Sequence, residues 1–291
     1  MRWWPGLVLA LALFNSATGA AGLPRIVSMN VCTDQLVLTL ADPEQILGLS
    51  RFARDGWQSR AGDLSRFSRD AWQSFAADKA RRFPILSGGA EDVLEAKPDI
   101  VVASLFDKRS TRELLKAKGL HLAELTVPRT LDEARQQIRE AGDVTGHPDR
   151  AAAEIARLDA ALARARRAVS EQHYRVLPLS RRGWVAGSDS FVGSLLGETG
   201  LRSAAGDLGF AFGGFASLEA IVNLRPDFIV VSQAGDTARD DGQAFLLHPA
   251  LERFYPPEKR IVIPERMTEC GGVLLADALD ALAAEVKRVG R

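Results

Sequence analysis

The chain has 291 residues, 46% of them hydrophobic, and its 37 basic and 37 acidic side chains cancel at neutral pH. This hydrophobic share supports a packed core and excludes a disordered chain. The neutral balance lacks the basic excess of nucleic-acid binding, and two cysteines are too few for a disulfide scaffold. Length and composition therefore indicate one large globular domain or two lobes of ordinary size, without an activity.

The first residues have the pattern of an export signal. A positive charge at Arg2 precedes an apolar run from Trp3 to Phe14, and small residues follow up to Ala21. The run is too short to cross a membrane and is typical of a secretory signal peptide, here residues 1–21. Because no cysteine lies directly after the run, we expect a periplasmic protein with a cleavable signal peptide and no lipid anchor.

Strands alternate with helices in the first half. RIVSMN predicts a first strand, and the stretch that follows it has apolar residues at helical spacing. AEDVLEAKPDIVVAS (90–104) predicts a helix stopped by Pro98 and then a buried strand. TRELLKAKGL and HLAELTV predict a helix ended by Gly119 and another strand. This alternation predicts an α/β architecture with parallel strands.

The second half repeats the first at an offset of roughly 128 residues. ASLEAIVNLRPDFIVVS places Glu219 seven residues before Pro226, as Glu91 stands seven residues before Pro98. Each proline is followed by Asp and an apolar strand, and the elements around both copies follow the same order. We therefore predict two similar lobes.

A helix-forming segment separates the two halves. Within residues 130–173, the second part has apolar residues three and four apart, and Pro148 stands where a helix would begin. The pattern predicts one helix of about 25 residues, which would limit relative motion of the lobes. We expect an N-terminal lobe at 22–145, a connecting helix at 146–173 and a C-terminal lobe at 174–291.

A local repeat occurs near the first strand–helix unit. RFARDGWQS (51–59) returns as RFSRDAWQS (66–74), which places Trp57 and Trp72 in equivalent positions. The repeat is either a surface insertion or a source of aromatic and cationic contacts to a ligand.

Taken together, these features resemble the helical-backbone class (class III) of periplasmic substrate-binding proteins of ABC importers. The likeness runs over residues 24–289 and rests on the two Pro-Asp strand units, the connecting helix and the opening stretch RIVSMNVCTDQLVLTLADPEQILGL. That class carries vitamin B12, ferric siderophores and haem. The resemblance implies two similar lobes, each with a mainly parallel sheet flanked by helices, joined by one long α-helix, with the ligand cleft between them.

The resemblance also implies a role for two glutamates. In the family, a Glu at the start of the helix before each Pro-Asp strand pairs with arginines of the permease, and the matching residues are Glu91 and Glu219. The alternative is that both are ordinary solvated acids at helix N-termini. The implied function is capture of an iron-siderophore or corrinoid-type chelate by a monomer that delivers it to an ABC permease dimer, with no cofactor or nucleic acid.

Ligands of open α/β sheets bind at the loops beyond the carboxyl ends of the strands. Here those loops are 30–34, 54–59, 104–110, 181–190, 207–215 and 266–272. Their mixture of aromatic and cationic groups suits a bulky chelate, although some of the aromatics are expected to anchor loops in the core. The predicted cleft residues are Cys32, Trp57, Trp72, Phe106, Arg109, Arg181, Trp184, Phe212, Met267 and Cys270, and Lys108, Arg182, Phe210 and Phe215 lie in the same loops.

An enzyme is not expected from the motifs. Ser188 lacks the G-x-S-x-G context of a hydrolase, and the glycine-rich stretches match neither a P-loop nor a dinucleotide fingerprint. The histidines have no metal-ligand spacing. Haem is disfavoured, because no histidine or tyrosine falls clearly in a cleft loop; these residues are His121, His147, His173, His248, Tyr174 and Tyr255.

Three interpretations of Cys32 and Cys270 stay open. An oxidising compartment and an even count favour a disulfide, which requires Cα atoms within about 7 Å, and the two glycines after Cys270 would permit close approach. Two free thiols could instead bind a soft metal, with Met267 as a third sulfur. That second interpretation supports an alternative function, an exported soft-metal-binding or cysteine-dependent protein. Inert packing is the third.

Overall fold

The computed structural model describes residues 22–53, 78–170, 173–232 and 241–290. The predicted signal peptide at 1–21 lies outside these residues. So do Trp57, Trp72 and most of the tandem repeat that contains them.

The first lobe is built on five parallel strands. The strand order across its sheet is β3-β2-β1-β4-β5, with each neighbouring pair parallel. The central strand is fully buried, as the apolar stretch RIVSMN predicts. The elements are β1 (Ile26–Ser28), α1 (Val31–Leu40), β2 (Ile46–Ser50), β3 (Ile85–Leu86), α2 (Ala90–Ala96), β4 (Ile100–Ser104), α3 (Arg109–Ala117) and β5 (His121–Leu125).

Two helices lead out of the first lobe. Helix α4 (Leu131–Thr145) ends at Gly146, whose left-handed backbone closes the last turn. Helix α5 (Pro148–Val169) begins with the proline as its first residue and continues for 22 residues, about 33 Å. The predicted long connecting helix is confirmed.

The second lobe has a four-stranded parallel sheet of order β11-β10-β6-β8 and a separate antiparallel pair, β7 with β9. Single helical turns at Asp78–Ala80 and Asp241–Ala244 complete the described helical structure, apart from short 3-10 turns. The elements of the lobe are β6 (Arg175–Pro178), β7 (Trp184–Ala186), α6 (Phe191–Thr199), β8 (Arg202–Ser203), β9 (Gly213–Phe215), α7 (Leu218–Leu224), β10 (Phe228–Val231), α8 (Pro249–Phe254), β11 (Arg260–Val262) and α9 (Leu275–Val289).

The topology confirms the predicted duplication. Read from the opposite edge, the first sheet runs β5-β4-β1-β2, and the second runs β11-β10-β6-β8 in the same structural order. The Asp of each Pro-Asp pair has the same function in both lobes. The backbone N–H of Arg25 donates to Asp99 at 2.8 Å, and that of Arg175 donates to Asp227 at 2.7 Å. Each Asp therefore ties the start of its own strand to the start of the neighbouring central strand.

The last helix belongs to the cores of both lobes. Leu275 and Leu279 of α9 are buried in the cluster that includes β1 and β2. Leu282 and Val286 of the same helix are buried against β6, β10 and β11. Helix α9 also packs along α5, where Arg164 pairs with Asp280 at 2.8 Å. The lobes are thus joined by two packed helices. Among the described residues, no helix has the length and apolar character required to cross a membrane.

Candidate functional site

A disulfide brings the carboxyl edges of the two sheets together. Cys32 lies in the first turn of α1, directly after β1, and Cys270 lies between β11 and α9. Their sulfurs are bonded and their Cα atoms are 5.1 Å apart. Gly271 makes this approach possible: a Cβ there would lie 2.3 Å from the Pro128 ring, and its φ is +66°. Of the three interpretations of the cysteines, the structure has the disulfide.

The soft-metal alternative is therefore wrong. Both sulfurs are spent in the bond, so neither is a thiolate that could bind a metal or act as a nucleophile. Met267, the proposed third sulfur, packs partly buried against the core of the second lobe. Within the described ranges, no group of three or more His, Cys, Asp or Glu side chains could hold a metal ion. The inert-packing interpretation is also wrong, because the two sulfurs are bonded to each other.

A polar network fixes the edge of the first lobe. The side-chain oxygen of Asn30 caps α1, accepting from the N–H of Cys32 at 3.0 Å and of Thr33 at 3.1 Å. The Asn30 amide nitrogen donates to Ser104 at 3.0 Å and to Asp107 at 2.7 Å. The helix that carries the disulfide is thereby tied to the loop that follows β4.

The loop that follows β4 exposes an aromatic side chain to solvent. Phe106 is 79% exposed, and its backbone N–H donates to the Ser104 hydroxyl at 3.2 Å. The N–H of Ser104 donates to Asp107 at 2.8 Å, so the turn is closed by its own side chains. Leu105 beside it is 65% exposed. An apolar surface held in this way at a strand end is typical of a binding site.

A buried acid lies beneath the same edge. Asp34 of α1 is 2% exposed, and it accepts from the hydroxyl and the backbone N–H of Ser50 at 2.6 and 3.1 Å. Burial raises the pKa of Asp34 to about 6, although hydrogen bonds from Ser28 and Ser50 oppose the shift. This carboxyl thus positions β2 against α1 below the surface.

The edge of the second lobe carries an aromatic pair. Trp184 of β7 and Phe215 of β9 meet edge to face, with ring centroids 5.0 Å apart. Phe212 in the turn before β9 is 71% exposed. Phe210 differs: it packs against the core of the lobe, as expected for some of these aromatics. Three aromatic side chains thus extend from this edge, as Phe106 does from the first.

Cationic side chains accompany the aromatics. The guanidinium of Arg51 lies 4.8 Å from the centre of the Phe52 ring, just after β2. Arg109 begins α3 and pairs with Glu113 one turn later at 2.5 Å. Arg181 and Arg182 are exposed and begin the turn that leads through the buried Gly183 to Trp184. Each of these groups follows the carboxyl end of a parallel strand.

The two predicted docking glutamates occupy equivalent places. Glu91 is the second residue of α2 and Glu219 the second residue of α7, and both are exposed. Both helices have seven residues and end in a left-handed residue, Lys97 or Arg225. Two hydrogen bonds hold the pKa of the Glu219 carboxyl below its ordinary value. The stronger effect comes from the backbone N–H of Glu219 itself, and the next from the Ser217 hydroxyl.

The structure brings Cys32 and Cys270 together and places Phe106, Trp184 and Phe212 at the two edges, whereas Trp57 and Trp72 lie outside the described residues. Sequence reasoning missed Asn30, the cap that links the first edge, and Phe52 and Leu105. Position was the available signal, since each of the three lies one or two residues beyond a strand.

Two duplicated parallel-sheet lobes with facing carboxyl edges, joined by a long helix, define a two-lobe solute-binding protein. The chain matches the periplasmic binding protein family over residues 26–256 and belongs to that family. It is 23% identical over 223 residues to a cobalamin-binding protein of Halobacterium salinarum, which covers 73% of this chain. The chain spans about half the length, 54%, of that curated relative.

Solved structures share the fold. The periplasmic heme-binding protein RhuT from Roseiflexus sp. RS-1, in apo form, aligns with a TM-score of 0.69 at 22% identity, over 93% of this chain and 100% of that one. The periplasmic vitamin B12 binding protein BtuF of Vibrio cholerae aligns with a TM-score of 0.62 at 14% identity, over 92% and 98% of the two chains. At these identities the likeness extends to the fold alone.

Proposed function

We propose that this chain is the periplasmic solute-binding component of an ABC importer, which captures an iron-siderophore or corrinoid-type metal chelate and delivers it to a membrane permease. The observation that carries the proposal is the set of exposed aromatic side chains at the two facing sheet edges. Phe106 extends from the first lobe, and Phe212 and Phe215 extend from the second, all more than 60% exposed. Large aromatics are costly to expose to water without a partner.

The rigid frame supports binding over catalysis. The disulfide, α5 and α9 hold the lobes together, so their edges are organised before a ligand arrives. We propose that the lobes correspond to residues 22–145 and 174–291, with 146–173 between them, and that residues 1–21 direct export. The protein would act as a monomer and release its ligand chemically unchanged to the permease.

The binding part is tested by native mass spectrometry of protein purified from its own periplasm, followed by titration with the retained species. We expect one chelate per chain, bound without turnover, and an increase of the melting temperature with ligand concentration. Chemical conversion of the chelate by the pure protein would contradict the proposal.

The delivery part depends on Glu91 and Glu219. One exposed carboxylate per lobe at duplicated positions suits a two-fold permease, because complementary charge sets orientation. The Glu91→Lys/Glu219→Lys double variant should abolish import and leave ligand affinity within about twofold. Glu95→Lys is the matched control, since Glu95 is also an exposed residue of α2. Import that persists in the double variant, or affinity lost with it, would contradict the docking role.

A further inference from the structure

The disulfide lies where the chain crosses from the second lobe back to the first. Ile263 and Met267 follow β11 and pack in the core of the second lobe. Val273, a little further along the chain, is buried in the cluster that includes β1 and β2. Cys270 lies between Met267 and Val273, so its bond to Cys32 fixes the crossing itself to the first lobe.

Helices of the first lobe and the connecting helix surround this crossing. Residues 270–276 are all buried. A Cβ on Gly272 would lie 3.5 Å from the side chain of Leu36 on α1 and 3.6 Å from the side-chain oxygen of Gln137 on α4. The Arg157 guanidinium on α5 donates to a backbone carbonyl of the same segment. The bond therefore holds a segment that three helices enclose.

The loops after two equivalent strands meet at this segment. β5 and β11 occupy the same edge of the two sheets, and Pro128 follows β5 as Gly271 follows β11. A Cβ on Gly271 would lie 2.3 Å from the Pro128 ring, so the two loops are in close contact. Because this contact joins the carboxyl ends of both sheets, a shift of Cys270 relative to α1 would move one edge relative to the other.

The noncovalent packing beside the bond is incomplete. Gln35 lies one turn after Cys32 on α1 and is 4% exposed, and neither polar atom of its side chain has a hydrogen-bond partner among the described residues. The side-chain oxygen of Gln137, which lies beside Gly272, also has no partner there. A buried amide group without a partner costs free energy. These groups weaken the contacts that enclose the segment, and the covalent bond keeps it in place.

A short series of contacts leads from the bond to an exposed aromatic ring. The Cys32 N–H donates to the Asn30 side chain at 3.0 Å, and that side chain donates to Asp107 at 2.7 Å. Asp107 also accepts from the N–H of Ser104 at 2.8 Å, which closes the turn that exposes Phe106. The same contacts therefore set the start of α1 at Cys32 and the position of Phe106.

We infer that formation of the Cys32–Cys270 bond is the step that makes the cleft competent to bind its ligand. The inference rests on the proposed function and adds the regulation of its site. A newly made chain carries two thiols in a reducing compartment, and an exported chain meets an oxidising one. There the two thiols transfer two electrons and two protons to the disulfide of a thiol oxidant, which becomes a dithiol as the bond in the protein forms. Because the chain has two cysteines, no other pairing within it competes.

Hydrogen exchange tests the conformational part of the inference on the full-length mature protein. The oxidised protein is compared with protein that has been reduced by a phosphine, freed of reductant under nitrogen and checked for two reactive thiols. We expect the amides of residues 30–34, 104–110 and 268–274 to exchange at least tenfold faster in the reduced protein. The Cys32→Ser/Cys270→Ser variant should exchange as the reduced protein does, with or without an oxidant. Unchanged exchange in these segments after reduction would overturn the inference.

Binding is measured by quenching of tryptophan fluorescence with ferric tris-catecholate, a ferric tris-hydroxamate and cyanocobalamin. Any of these chelates that binds the oxidised protein should bind the reduced protein at least tenfold more weakly, and reoxidation should restore the affinity. Leu282→Ala with the bond intact is the matched control, because it removes a fully buried side chain from the part of α9 that packs in the second lobe. This variant should lose stability and keep its affinity within about twofold. Circular dichroism checks that every form is folded at the temperature of the titration.

Other results separate the inference from the proposed function. Equal affinity of the oxidised and reduced forms would overturn the inference and leave the proposed function intact. An equal loss of affinity in Leu282→Ala would also overturn the inference, because the bond would then act through stability alone. If none of the three chelates binds the oxidised protein, the proposed function is contradicted for both of its ligand classes, and the hydrogen-exchange comparison decides the inference.

Discussion

Removing the disulfide should destabilise the whole protein. The perturbation is the Cys32→Ala/Cys270→Ala double variant, compared with the oxidised unaltered chain. The bond joins residues separated by 238 positions, so it closes almost the entire described chain into one loop. A cross-link of that span removes about 18 cal/mol/K of entropy from the unfolded chain, which corresponds to about 5 kcal/mol of stability at 25 °C.

A second contribution acts on the folded state. Cys270 is 3% exposed, so its replacement by alanine leaves a small void that costs about 1 kcal/mol. Reduction of the unaltered protein separates the two effects, because reduction opens the loop and keeps both sulfurs in place. We expect reduction alone to account for most of the loss.

Equilibrium unfolding in urea, followed by far-ultraviolet circular dichroism and by tryptophan fluorescence, measures the free energy. The two probes must give coincident transitions for a single value to apply. The dependence on urea should also steepen in the variant, because its unfolded state is more expanded. A loss below about 1 kcal/mol with an unchanged slope would refute the loop-closure reasoning.

Three further changes test the site and its support. Asp34→Asn should remove a pH dependence of stability. The pKa of Asp34 is about 6 in the folded protein and 3.8 ordinarily, so the unaltered protein should become more stable by about 1 kcal/mol as the pH falls from 7 to 5. Urea titrations at both pH values measure this, and the same pH dependence of stability in the variant and the unaltered protein would contradict it. Gly183→Ala should lower the melting temperature by several degrees, because its Cβ would lie 2.4 Å from the Ala216 carbonyl. Phe106→Ala should weaken ligand binding without loss of stability, because the ring is exposed. Phe210→Ala should lower the free energy of unfolding by about 3 kcal/mol, because this ring packs against the core. Lost stability in Phe106→Ala, or unchanged stability in Phe210→Ala, would contradict the placement of these rings.

Local sequence rules predicted the parts of the fold that repeat. The unit of helix, Pro-Asp and apolar strand carries its own start and stop signals, so β4 and β10 could be placed with the helices before them. The long α5 was predictable because Pro148 and a helical apolar spacing act within one segment. Each of these features depends on neighbours along the chain.

The remaining features depend on distant contacts. The pairing of β7 with β9 joins Trp184 to Phe215 across a glycine-rich stretch that has no strand periodicity. Asp34 lies in the first turn of a helix, where an acid is usually solvated, and only the position of β2 buries it. The pairing of the two cysteines likewise depended on the geometry of the whole molecule.

The shared position of α9 has a consequence for the order of folding. Leu275 and Leu279 complete the core of the first lobe, although they follow all the strands of the second lobe in the chain. The first lobe therefore cannot bury all of its apolar surface until the strands of the second lobe and α9 have been synthesised. A chain truncated before Leu275 should expose unfinished cores in both halves, and the two lobes should gain or lose their structure as one unit.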